Sequence, residues 1–130
     1  MGVKQDIAEL DDIILFVNSF YGRVQRDELI GPVFNNVIQD WEPHLKKMYA
    51  FWNAVLFGVP GFSGNPFARH APLPIDEKHF ERWLLLFNDT IESLFEGEIA
   101  ELTKKKAATM AVMFISKLNH MKGGSGRVLV

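Results

Sequence analysis

Apolar residues recur at steps of three and four along almost the whole chain, and this spacing predicts helices. The first stripe consists of Ile13, Phe16, Val17, Phe20, Tyr21 and Val24. A second stripe begins at Trp41, a third begins at Phe80, and the last helix is expected over about residues 98–122. The pattern predicts an all-α fold with four substantial helices and no internal repeats.

Glycine and proline residues mark where these helices are interrupted. Gly31-Pro32 is typical of a turn, and residues 58–66, with three glycines and two prolines, are predicted to form a loop. Asp76 follows this region and is predicted to cap the next helix, because its carboxylate can accept a hydrogen bond from a free backbone N–H.

Size and charge exclude several classes of protein. With 48 % hydrophobic and 23 % charged residues, the chain of 130 residues suits one globular domain, expected over residues 1–122 with a flexible tail at 123–130. A net charge of −2 offers no attraction to nucleic acid or to an anionic membrane. No apolar run matches a membrane span or a signal peptide, so we expect a cytoplasmic protein.

The chain contains no cysteine, which excludes disulfides, thiolate metal sites, a catalytic thiol and thioether attachment of a cofactor. It does contain eleven phenylalanines, three tryptophans and five methionines. Such an aromatic supply could fill a core or line the faces of a flat apolar ligand.

The segment "FARHAPLPIDEKHFERW" places a histidine on a backbone that cannot continue as a helix. Ala71 and Leu73 each precede a proline and are expected to be extended, and each proline has a fixed φ. His70 therefore lies on a stiff segment that aims its ring, and an imidazole nitrogen is a good ligand for iron or zinc. No H-E-x-x-H or other close histidine pair accompanies it, so a zinc site held by protein alone is not supported.

Each candidate residue also has an interpretation that needs no ligand. His70 could be a surface turn residue, and His44 could be a capping residue in the first turn of its helix. Tyr21 and Trp83 could serve the core alone, although each carries a polar atom that needs a partner when buried. Met48 could fill a gap between aromatic rings. Spacing alone leaves these alternatives open.

Taken together and in order, the segments "SFYGRV", "GPVFNN", "EPHLKKMYAFW", "RHAPLPI" and "HFERW" resemble the truncated haemoglobins, in particular the third group of that bacterial family. The resemblance covers residues 13–114. It implies a two-over-two helical sandwich around one non-covalent b-type haem. Paired glycines that end helices in the first two groups are not evident over residues 58–64, as is also the case in the third group.

Residue by residue, the resemblance implies a set of roles around the haem. His70 matches the proximal histidine that binds iron, and Tyr21, His44 and Trp83 match the distal residues that face a bound gas. Phe34 matches the phenylalanine that packs on the porphyrin. Other residues expected to contact the haem are Met48, Phe51, Trp52 and Phe80, with Phe87 in the apolar wall, and Lys47 and Arg69 at the propionates. The lysine and the arginine could equally be ordinary solvent-facing charges.

The function that the resemblance implies is reversible binding of O₂, NO and CO at a five-coordinate iron. Donors at Tyr21 and Trp83 would slow O₂ release, which favours O₂ or NO handling or detoxification over bulk transport. His44 could be a third donor, a gate or a second axial ligand. NO dioxygenation or a peroxidase-like reaction would need an external electron donor such as a reductase. We expect a monomer; the alternatives are a haem-free all-α interaction module and a haem-based sensor.

Overall fold

In the computed structural model, every regular element among the described residues, 3–61 and 76–123 with side chains to residue 117, is an α-helix. The helices are α1, Leu10–Arg26; α2, Gly31–Val37; α3, Trp41–Phe57; α4, Glu77–Leu94; and α5, Glu98–Gly123. The predicted all-α fold is therefore confirmed. No helix within this part of the chain is long and apolar enough to cross a lipid bilayer.

The helices pack in two layers. In one layer α1 lies against α3, in the other α4 lies against α5, and the contact of α1 with α4 joins them. This is the two-over-two sandwich expected from the sequence. The core between the layers is aromatic: the Phe16 ring meets the edges of Phe87 and Trp52, with centroids 5.8 and 5.7 Å apart. Burial of these large rings stabilises the crossing of three helices.

The short helix α2 forms where the sequence predicts only a turn. Pro32 lies in its first turn, where a missing backbone N–H breaks no helical hydrogen bond. The turn lies before α2, at residues 27–30. There the Asp27 carboxylate accepts hydrogen bonds of 3.0 Å from the N–H groups of Leu29 and Ile30. The chain therefore reverses at Asp27, and α2 packs back onto α1 with Phe34 buried.

The ends of α3 and α4 follow local rules. α3 stops at Gly58, whose φ of 68° lies in the left-handed region that glycine adopts without strain. The Asp76 carboxylate accepts a hydrogen bond of 3.2 Å from the Lys78 N–H, and the His79 side chain accepts one of 3.0 Å from the Asp76 N–H. The predicted cap of α4 is confirmed. Of the predicted loop over residues 58–66, only residues 58–61 are described.

The segment before α1 reaches across the molecule to cap α5. The Asp6 carboxylate accepts hydrogen bonds from the N–H groups of Ile99 at 2.9 Å and Ala100 at 2.8 Å. Gly97 makes this approach possible, because a Cβ there would lie 2.5 Å from the Asp6 Cγ. Desolvation alone would raise the pKa of Asp6, but the backbone hydrogen bonds outweigh it and lower that pKa.

Candidate functional site

A cavity of about 430 Å³ lies between the two layers, a size within the range of small-molecule and cofactor sites. Side chains from all five helices line it, and most of them are apolar. The lining consists of Phe20, Tyr21, Phe34, Val37, Ile38, Gln39, Asp40, Pro43, His44, Lys47, Met48, Phe51, Trp52, Trp83, Phe87, Met110 and Phe114. An apolar chamber with a few polar groups is the usual form of such a site.

Tyr21 is a lining residue from α1, and its side chain carries a hydroxyl. Its ring is held edge-on by Phe20, with centroids 4.8 Å apart, and by Phe34 at 6.4 Å. Only 7 % of the residue is exposed. Burial raises the pKa of the Tyr21 hydroxyl above its ordinary value of 10.0, because the phenolate would be poorly solvated. The group therefore remains a protonated hydrogen-bond donor.

His44 lies beside Tyr21, at the start of α3 and among aromatic rings. It lies in the first turn of α3, directly after Pro43, which is tolerated at that position. The His44 ring meets the Tyr21 ring edge-on at 5.1 Å and the Trp41 ring at 5.7 Å. An imidazole and a phenol thus share one end of the cavity.

Trp83 lines the cavity from the opposite layer, on α4. Its indole stacks on Phe87, with centroids 5.7 Å apart and planes 11° apart, and Phe87 stacks in turn on Trp52 at 5.3 Å. Phe20 touches the Trp83 ring edge-on at 5.6 Å, so a single phenylalanine separates the tyrosine from the tryptophan. The two side chains that sequence reasoning selected as donors therefore line one cavity from different helices.

The margin of the cavity is more polar than its interior. Lys47 on α3 is exposed, as are Gln39 and Asp40 in the connection from α2 to α3, and all three belong to the lining. Met48 and Phe51 lie on the same helix and are partly buried. A charged ammonium at the edge of an apolar chamber can meet the anionic groups of a ligand whose body is buried.

Phe80, a predicted wall residue, lies next to the cavity lining that the described residues form. Phe80 packs against Phe114, with ring centroids 5.8 Å apart, and Phe114 is the one of the pair that lines the cavity. Phe80 thus contacts a lining residue without belonging to the lining that the described residues form. The predicted iron ligand His70 and the predicted propionate partner Arg69 lie outside the described residues.

Sequence reasoning missed the contribution of α5. Met110 and Phe114 close one side of the cavity, and both belong to the apolar stripe of the last helix, which is the signal that could have found them. The sequence does not point to Val37 and Ile38 at the end of α2, because its pattern indicates a turn there and not a helix.

The fold and the cavity together define a class: a two-layer helical protein with an apolar chamber between its layers, walled by aromatic rings and carrying polar side chains at one end. Comparison with known proteins identifies the family within that class. The model of the bacterial-like globins matches residues 6–118, and the chain belongs to this family.

The similar proteins agree with this assignment. Over 121 residues the chain is 29 % identical to the group 3 truncated haemoglobin ctb of Campylobacter jejuni, covering 89 % of this chain and 95 % of that protein. The crystal structure of the group III truncated haemoglobin from Campylobacter jejuni superposes with a TM-score of 0.83, at 29 % identity and the same coverage. The group 2 truncated haemoglobin YjbI of Bacillus subtilis is 33 % identical over 91 residues, 65 % of this chain and 67 % of that protein.

These findings confirm the resemblance to the truncated haemoglobins and to their third group. They also support haem and small ligands as what a protein of this family binds. The chamber fits that cofactor in kind, because it is apolar, walled by aromatic rings on two layers and edged by a cation.

Proposed function

We propose that this protein holds a non-covalent b-type haem in the cavity and reversibly binds O₂, NO or CO there. The observation that carries the proposal is that Tyr21, which is buried, and Trp83 line the same apolar chamber from different helices. Haem, when bound, supplies an iron centre with one face open to a diatomic gas.

Retention of the cofactor is assigned to three kinds of residue. His70 would bind the iron, as the match to the family motif implies. Phe34, Phe51 and Trp52 would contact the porphyrin, since all three line the chamber. Lys47, at the exposed edge, would pair with a propionate. Arg69 is expected to do the same from outside the described residues. The absence of cysteine agrees with non-covalent attachment.

Tyr21 and Trp83 would select among gases by donating hydrogen bonds. A bound O₂ carries partial negative charge, whereas bound CO carries little, so fixed donors in a dry chamber favour O₂. One such bond is worth about 0.5–1.5 kcal/mol. Two independent donors would slow O₂ loss by up to roughly a hundredfold, at about 1.4 kcal/mol for each factor of ten.

His44 is proposed to act as a gate. It stands at a helix start, and helix ends open more readily than helix middles. Because Pro43 restricts the backbone, the motion would be a rotation of the side chain. With two other donors in the chamber, a third is not needed to hold O₂.

The slow release that these donors produce supports a role in O₂ or NO handling or detoxification rather than in bulk O₂ delivery. Turnover of NO with O₂, or a peroxidase-like reaction, would draw electrons from an external reductase. We propose a cytoplasmic monomer.

The deciding experiment is haem retention in the parent protein and in His70→Ala. The parent should purify red, with a sharp blue absorption band. The variant should lose stable haem and regain it when imidazole is added. His79→Gln is the matched control, because His79 is a capping residue of α4 and should not affect haem content.

Full haem content in His70→Ala without imidazole would show that another residue binds the iron. A parent protein that is colourless and takes up no added haemin would contradict the proposed function itself and favour a haem-free interaction module.

A further inference from the structure

Arg82 on α4 and Asp27 in the turn between α1 and α2 form an ion pair. Among the ion pairs of the described residues, it alone has a nearly buried carboxylate. The Arg82 Nη1 donates to the Asp27 Oδ1 at 2.7 Å, and the two residues are 55 positions apart. The Asp27 side chain is 8 % exposed and that of Arg82 is 39 % exposed. An exposed ion pair contributes little to stability, but a short charge-assisted hydrogen bond to a nearly buried carboxylate restricts the relative positions of the two side chains.

Asp27 already organises its own turn. Its second carboxylate oxygen accepts the N–H groups of Leu29 and Ile30, and its backbone oxygen accepts the N–H of Gly31 at 3.0 Å. Desolvation alone would raise the pKa of Asp27, but the hydrogen bonds from Ile30 and Arg82 outweigh it and lower that pKa. The carboxylate is therefore ionised at neutral pH, when it can hold the guanidinium.

Both ends of this ion pair are directly connected to the cavity. Arg82 immediately precedes Trp83, which lines the cavity from α4. The turn that Asp27 caps leads into α2, which carries Phe34 against the Tyr21 ring. A shift of the start of α4 relative to this turn would therefore change the separation between the indole and the phenol.

We propose that Arg82 and Asp27 are positioning residues that hold Trp83 in register with Tyr21, so that both can donate to one small ligand. The proposal rests on the proposed function, because it deepens the account of how the cavity retains O₂. It assigns the pair no contact with the ligand, since neither residue belongs to the cavity lining.

Substitutions on both sides of the ion pair separate positioning from simple stabilisation. Asp27→Asn keeps an oxygen that can cap the turn but removes the charge that holds Arg82. Arg82→Gln removes the same attraction from the other side, and Arg82→Lys restores the charge without the planar fork. Lys104→Gln is the matched control, because Lys104 bonds Glu92 and Glu101 at 3.0 Å and lies outside the cavity lining.

In the haem-loaded protein we expect Asp27→Asn and Arg82→Gln to raise the O₂ dissociation rate by about two- to fivefold, less than the full loss of one donor. The C–O stretching frequency of the CO complex should shift in the same direction in both variants. The double variant should have no larger effect on the O₂ dissociation rate than either single substitution, since all three variants remove the same interaction. Arg82→Lys should recover part of the effect, and Lys104→Gln should match the parent.

A second measurement does not need haem. With indole nitrogens labelled in the haem-free protein, Trp83→Phe assigns one of the three tryptophan N–H signals. That signal should move in Asp27→Asn and Arg82→Gln but not in Lys104→Gln. Unchanged O₂ rates, CO frequency and indole signal in Arg82→Gln would overturn the proposal, even if stability fell. A parent that takes up no haem would refute the proposed function alone, and the indole signals would still decide the positioning role.

Discussion

Replacing Tyr21 by phenylalanine removes one oxygen and leaves the ring among the same neighbours. Phe20, Phe34, Trp41 and His44 surround the Tyr21 ring at centroid distances of 4.8 to 6.4 Å, and each can pack equally well on a phenyl group. The substitution therefore tests the hydroxyl as a donor with little change in the shape of the cavity.

The size of the effect follows from one hydrogen bond. A net value of about 0.7–1.4 kcal/mol, within the usual range of about 0.5–1.5 kcal/mol, predicts that Tyr21→Phe raises the O₂ dissociation rate by about three- to tenfold. The CO dissociation rate should change much less, because bound CO presents little negative charge to a donor. Stopped-flow displacement of O₂ by CO measures the first rate, and replacement of CO by NO measures the second.

Tyr49→Phe is the matched control, because it deletes a hydroxyl on α3 that bonds the Asn18 Oδ1 at 2.6 Å on the exposed surface. Tyr49 is absent from the cavity lining, so neither rate should change. Burial raises the pKa of Tyr21, and its donor should therefore persist as the pH approaches the ordinary tyrosine value of 10.0. Equal effects of the two substitutions, or equal changes for O₂ and CO, would refute the donor role.

Three further predictions use other parts of the structure. Trp83→Phe should also raise the O₂ dissociation rate by about three- to tenfold, and combining it with Tyr21→Phe should multiply the effects if the donors act independently; a strongly non-multiplicative result would indicate a shared network. His44→Leu should change the association rate of O₂ or CO more than the dissociation rate, and should remove any pH dependence of association near the ordinary histidine pKa of about 6.5. A six-coordinate ferrous parent that becomes five-coordinate in His44→Leu would instead identify His44 as a second iron ligand. Asp6→Ala should lower the free energy of unfolding at pH 7 by about 1–2 kcal/mol, the usual cost of losing a helix cap. Because folding lowers the pKa of Asp6, its contribution to stability is present above the ordinary pKa of 3.8 and is lost as the pH falls through the lower pKa of the folded state. Urea unfolding followed by circular dichroism measures this contribution. A difference in unfolding free energy between parent and variant that is as large at pH 2 as at pH 7 would contradict it.

The amino-acid sequence by itself indicated the four long helices but not α2, and together with the family resemblance it led to about half of the residues that line the cavity. Apolar spacing and capping act over three or four positions, so they could be read without knowing the fold. The same spacing placed Tyr21, His44 and Trp83 on apolar helix faces, and the structure brings all three to one cavity. The order of the short motifs also sufficed to recognise the family, which the match over residues 6–118 confirms.

The tertiary structure decided which of the buried residues meet. Phe80 and Phe114 both lie on apolar stripes and their rings pack against each other, yet of these two only Phe114 belongs to the cavity lining. The spacing within one helix does not specify which of two contacting rings faces a cavity. The cap of α5 comes from Asp6, more than ninety positions earlier in the chain, and no local pattern connects the two. The ion pair between Arg82 and Asp27 likewise joins residues that are far apart in the chain. A repeating pattern specifies the face of a helix that is buried, but a contact between distant residues depends on how whole helices pack against one another.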